Sequence, residues 1–152
     1  MVSPELLRRY PLFGALSDEQ LRVVAMVSEE KSYPGGGVIF HENTPARKLY
    51  VVIDGDVDLL YSGGGEGAIV DAPVGSVASG EICGVSSLLE PYRYVDTAKC
   101  AKASRVIEID ANALRALCEV DHTLGHTVTR RILQAALERL RYTQIELAAA
   151  RV

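Results

Sequence analysis

Several groups of side chains in this sequence have types and spacings that chemistry uses. His122 and His126 lie four residues apart in a helical stretch, the separation that puts two imidazoles on one face as metal ligands. No third ligand accompanies them, since His41 belongs to a distant strand-like segment, so an ordinary exposed pair is the stronger reading. Ser86 and Ser87 are adjacent hydroxyls, but no histidine or lysine stands in register as the base that a nucleophile needs. Capping or hydrogen bonding at a short helix is their expected role. Gly63-Gly64-Gly65 has the glycines of a phosphate-cradling loop without its Lys-Ser/Thr ending, and reads as a flexible turn. Arg130, Arg131, Arg139 and Arg141 are interleaved with apolar and acidic residues, which favours a solvated helix face over a nucleic-acid patch. The sequence therefore offers binding chemistry rather than catalysis, and no enzyme is expected.

The elements that must position these residues come from a chain of 152 residues, enough for one domain with a sizeable core. Charged residues make up 24% and hydrophobic residues 48%, a composition that folds. The net charge of −4 weighs against nucleic acid, which needs a clustered basic face. Cys83, Cys100 and Cys118 show neither metal-ligand spacing nor an even count for a disulfide framework. Reduced, mostly buried thiols fit a cytoplasmic protein. Met1-Val2-Ser3-Pro4-Glu5 lacks the basic and apolar segments of a signal peptide, and no apolar run reaches membrane-spanning length.

Periodicity divides the chain into three parts. Residues 3–31 read as helical. Ser3-Pro4 is a cap followed by proline at the first helical position, and Ser17 with Gln20 has the capping-box spacing. Residues 33–109 switch to a period of two. Val38-Ile39-Phe40, Leu49 to Ile53, Val57 to Tyr61, Ala68 to Val74, Tyr94 to Ala101 and Arg105 to Ile109 are the expected strands. Asp54-Gly55 favours a tight hairpin, and the four glycines within 62–67 a mobile tip. Residues 110–150 return to helix, with Asp110 and Asp121 as caps of a short and a long helix. In the long one, Leu133, Leu137, Leu140, Gln144 and Leu147 alternate four and three apart, a heptad seam with one polar member. The competing reading is a helix packed on its own roll.

This order resembles the cyclic-nucleotide-binding domain of the catabolite-activator type. Tyr33 to Phe40 is similar to that family's proline-glycine turn into a strand. Leu49 to Val57 is similar to its central hairpin, and Gly80-Glu81-Ile82 with Leu88-Leu89 to its phosphate-binding cassette. Thr97-Ala98 and Arg105 to Ile109 resemble its return strands. The resemblance covers roughly residues 5–145. It implies an α+β fold, an antiparallel β-roll of the double-stranded β-helix or jelly-roll kind, flanked by N-terminal helices and a long C-terminal helix. The whole of 1–152 is expected to form one such domain.

The resemblance also implies a site. A short helix after the Gly-Glu pair offers free N–H groups to a cyclic phosphate. Glu81 stands where the family's glutamate accepts from the ribose 2′-hydroxyl. An arginine normally precedes a small residue and alanine, and forks onto the phosphate oxygens. In this chain those slots read Asp96-Thr97-Ala98, which sets a like charge beside the phosphate in place of the fork. Arg93, three residues earlier, is the candidate replacement, with a solvated loop cation as the plainer reading. Lys99 would face the opposite side of the strand. The candidate ligand-binding set is therefore Gly80, Glu81, Ile82, Cys83, Arg93, Asp96, Thr97 and Ala98. No catalytic or metal site is assigned.

The expected function is ligand sensing by a regulatory domain that signals through its long helix. It would bind a cyclic nucleotide (cAMP or cGMP) weakly, or another small ligand, with no fixed cofactor. A homodimer through the C-terminal helix is expected, without membrane or direct nucleic-acid contact. The alternatives are a ligand-free dimerisation module of the same fold and the effector half of a DNA-binding transcription regulator. The last is disfavoured because the family's regulators carry a helix-turn-helix domain after this helix, whereas the sequence stops at Val152.

Overall fold

The computed structural model describes residues 1–63 and 71–151. Two short helices, α1 (Pro4–Arg8) and α2 (Asp18–Met26), lead into eight strands. These are β1 (Ser28–Tyr33), β2 (Val38–Phe40), β3 (Lys48–Asp54), β4 (Asp56–Tyr61), β5 (Ala72–Ala78), β6 (Ile82–Cys83), β7 (Thr97–Cys100) and β8 (Ser104–Asp110). A single 3-10 turn, Val85–Leu88, follows β6, and the chain finishes with α3 (Ala111–Val120) and α4 (His122–Ala150).

The strands form two antiparallel sheets of four, in the orders β1-β8-β3-β6 and β2-β7-β4-β5. This is the expected α+β architecture, a β-roll between N-terminal helices and a long C-terminal one. The inner strand β3 of the first sheet is buried on both faces. Along β3 and β8, Leu49, Val51, Ile107 and Ile109 join Leu7, Phe13, Leu21, Leu114 and Leu124 in a core beneath the helices. The alternate residues Tyr50, Val52 and Val106 face Val57, Leu59 and Val77 in a second core between the sheets. Two-faced burial explains why β3 is an uninterrupted apolar run, since a strand sends successive side chains to opposite faces.

The caps are formed as the sequence reads. Gln20 N–H donates to Ser17 Oγ while Ser17 N–H donates to Gln20 Oε1. The Asp110 and Asp121 carboxylates accept from Ala113 and Leu124 N–H at 3.0 and 3.1 Å.

Two segments differ from the expectation. Residues 28–31, read as helical, belong to β1, which pairs antiparallel with β8 from Ser28↔Ile109 to Tyr33↔Ser104. Glu29, Glu30 and Lys31 are exposed, so this edge strand lacks the alternation that would mark it; charged residues there discourage pairing with other chains. Asp54-Gly55 does not make a hairpin, because β3 and β4 lie in different sheets. It is the corner by which the chain crosses between them. Gly55 has φ +132°, and a Cβ there would fall 2.1 Å from Ser104 Oγ. The hairpin partner of β4 is β5, which runs to Ala78 rather than ending at Val74. Of the expected glycine-rich tip and the start of its return strand, residues 64–70 lie outside the described residues.

Candidate functional site

The cassette is hung from the central strand of the first sheet. Ile82 and Cys83 pair with Val51 and Tyr50. Gly80, at φ +87°, donates its N–H to Val52 O at 2.7 Å, and Val52 N–H donates to Glu81 O at 2.9 Å. Glu81 Oε1 accepts from Ala78 N–H at 2.8 Å, so one carboxylate oxygen braces its own turn. The chain then bends at Gly84, φ +80°, where a Cβ would come within 3.0 Å of Lys48 O. Ser87 is buried and donates its hydroxyl to Gly84 O at 2.6 Å, the local hydrogen-bonding role expected of it. Cys83 is fully buried. Burial, opposed by Arg139 and supported by Asp96 and Cys100, pushes its thiol up to about 12, which leaves it unreactive.

The approach to β7 runs elsewhere in the roll. Phe40 stacks on Tyr94 at 3.9 Å between centroids, and the Tyr94 hydroxyl donates to Lys48 O at 2.8 Å, which fixes this segment against β3. Thr97 Oγ1 accepts from Glu42 N–H at 2.9 Å, and Ala98 is buried. Asp96 is half-buried. Burial raises its carboxyl above the usual range and Glu42 adds to the rise, while Arg139 opposes it. Arg93 is exposed and points elsewhere: its Nε donates to Asn43 Oδ1 at 3.0 Å and its Nη2 to the Asn43 carbonyl. Of the expected set, Gly80, Glu81 and Ile82 line a cavity beneath the last helix, whereas Cys83, Asp96, Thr97 and Ala98 are not part of its lining. Arg93 is tied to a neighbouring loop.

The wall facing the cassette is α4, and it carries the residue that sequence reasoning missed. Arg139 donates from Nη2 to Ile82 O at 2.9 Å, and its charge acts on both Asp96 and Cys83. The signal was present in the spacing. Leu124, Val128, Ile132 and Ala135 form the roll-facing stripe of α4, and Arg139 is its next member. Between α4 and the cassette lies a cavity of about 800 Å³, whose lining includes Gly80, Glu81, Ile82, Glu138, Arg139 and Tyr142. On the other side of the cassette, Arg115 of α3 lies 4.0 Å over the Tyr92 ring and donates to Ser87 O. His122 and His126 line a separate groove there. Among the described residues, no group of three or more His, Cys, Asp or Glu is placed to hold a metal, and no helix is long and apolar enough to cross a membrane.

A cavity of this size between a cassette-like turn and a helix suits a small organic ligand. Comparison with known proteins points the same way. The sequence model described as the cyclic nucleotide-binding domain matches residues 30–121. A Geobacter metallireducens protein of solved structure, assigned as cyclic nucleotide-binding, is 43% identical with a TM-score of 0.82, over 92% of this chain and 99% of that one. The cyclic AMP receptor protein of Thermus thermophilus is 29% identical over 84% of this chain and 60% of its own length. The regulatory subunit of a cAMP-independent protein kinase A from Trypanosoma brucei was solved as a triple mutant bound to cAMP. It shares the fold at a TM-score of 0.75 with 15% identity, over 94% of this chain and 49% of that one. The chain spans between 30% and 60% of the length of the curated relatives it matches.

Proposed function

Because the chain belongs to the cyclic nucleotide-binding domain family, we propose that it is a regulatory ligand sensor that binds a cyclic nucleotide weakly, or a different small ligand, and signals through α4. The observation that carries this reading is the cavity itself. Gly80, Glu81 and Ile82 line that cavity beneath α4, and the family resemblance assigns Asp96 to the position of the phosphate-binding arginine. That lining supports binding, and the aspartate argues against tight binding of a cyclic phosphate. The triple mutant of the cAMP-independent trypanosome subunit, one of whose substitutions is threonine to arginine, binds cAMP and offers a parallel in that protein.

The movable part is the arm after Ile109, which joins the roll at Asp110. Differential contact of a ligand with two positions of that arm is what would convert binding into a signal. The same arm offers a dimer surface: Leu133, Leu137, Leu140 and Leu147 are 67%, 55%, 52% and 52% exposed, so the heptad seam does not pack on the roll. That exposure also suits the second reading, a ligand-free dimerisation module. A calorimetric titration with cAMP and with cGMP tests the sensor directly. Binding in the micromolar to millimolar range supports it; sub-micromolar binding overturns the assigned role of Asp96. Absence of any heat, for the wild-type chain and for Asp96→Arg alike, favours the ligand-free module.

A further inference from the structure

We propose that Arg139 is an intramolecular latch that holds α4 closed over the cassette, its guanidinium fastened to the Ile82 carbonyl. The argument begins with the stripe by which α4 meets the roll. It is apolar from Leu124 through Ala135, with Leu124 and Val128 buried and Ile132 and Ala135 partly so. Contact with the roll thins along the helix, and the next position on that face is an arginine. Its neighbours Leu137 and Leu140 are more than half exposed. At this level the helix is therefore joined to the roll by a charged hydrogen bond rather than by apolar burial. A bond of a guanidinium to a carbonyl is stronger and more directional than its neutral counterpart.

The second strand of the argument is charge. Asp96 is half-buried, and Arg139 is the cation whose charge opposes the rise of its carboxyl. Arg93, the cation nearest in sequence, is engaged with Asn43. The third is symmetry of attachment. Arg115 on α3 donates to Ser87 O as Arg139 on α4 donates to Ile82 O, so a helix-borne guanidinium grips each end of the cassette. A group entering the cavity beside Ile82 has to lift Arg139, and lifting it loosens the distal half of α4. The latch goes beyond the sensor reading and does not depend on it, because both of its partners belong to the chain itself.

The test is amide hydrogen exchange on the ligand-free protein, followed over residues 136–143. Variants Arg139→Gln, Asp96→Asn and the double substitution are compared with wild type at a concentration where all show the same assembly state. Arg139→Gln should speed exchange in this stretch several-fold, and Asp96→Asn should do the same although it relieves the roll of a buried carboxylate and leaves or raises its Tm. If the two act as one device, the double variant exchanges no faster than Arg139→Gln alone. Arg139→Lys, which keeps the charge, should restore part of the protection, while Arg141→Gln on the exposed side changes nothing. An α4 indifferent to either substitution, or additive effects in the double variant, overturns the latch.

Discussion

Replacing Asp96 with arginine should turn a pocket that resists a cyclic phosphate into one that holds it. Two contributions set the size. Asp96 is half-buried with its carboxyl already disfavoured as an anion by burial and by Glu42, so a phosphate beside it costs about 2 kcal/mol in like-charge repulsion. A guanidinium in the same place supplies a charged hydrogen bond of about 2 kcal/mol. Arg139 already offsets part of the aspartate's charge, which takes the sum down to about 3 kcal/mol, or roughly two powers of ten in Kd. Asp96→Asn isolates the repulsion and should gain about tenfold. Isothermal titration calorimetry with cAMP on the three proteins, with melting curves to show that each is folded, gives both numbers. A gain under about tenfold for Asp96→Arg would refute the reasoning, because it would mean that the anion does not approach position 96.

Other outcomes follow from the same structure. Because the folded-state carboxyl of Asp96 is raised, the folded chain holds that proton more tightly than the unfolded one; the contribution of this group to stability is lost as pH rises through its folded value and regained as pH falls. Protonation also removes the repulsion, so cAMP affinity should rise as pH falls toward the raised folded value of Asp96, and Asp96→Asn should abolish that slope in calorimetry. Leu137→Asp should convert a dimer to monomer in sedimentation equilibrium, whereas wild type that stays monomeric at roughly 100 µM would rule out pairing through α4. Gly55→Ala should lower stability by about 3 kcal/mol, since its Cβ would overlap Ser104 at a positive φ, and adding Ser104→Gly should recover part of the loss in thermal melts.

What the sequence revealed depended on how local the physics is. The caps at Ser17, Asp110 and Asp121 are decided within four residues and were legible. The turn at Gly80-Glu81-Ile82 was legible through its glycine, and the aspartate at position 96 was plain to see; their assignment to a ligand site is the proposal above. The strand at Ser28–Tyr33 was not, because its partner β8 lies far away in sequence and its own side chains carry no alternation. Asp54-Gly55 has the local chemistry of a hairpin, yet the direction in which β4 leaves depends on Ser104 across the corner. Arg139 was grouped with the other helix arginines as solvated. Charge alone does not separate it from Arg141; the four-residue step from Ala135 does.

The position of β8 in the first sheet bears on how the chain is made. β8 lies between β1 and β3, and among the described residues β1 has no other strand partner. During synthesis β1 leaves the ribosome early and then waits for about seventy further residues before Ser104 to Asp110 arrive to pair with it, a long loop to close. Until then the faces of β3 that will become two cores are only partly covered. A fragment that stops short of residue 110 therefore leaves a gap at the centre of the sheet rather than at its edge. The roll should accordingly become protease-resistant only once that strand has emerged, with α3 and α4 added to an already closed sheet.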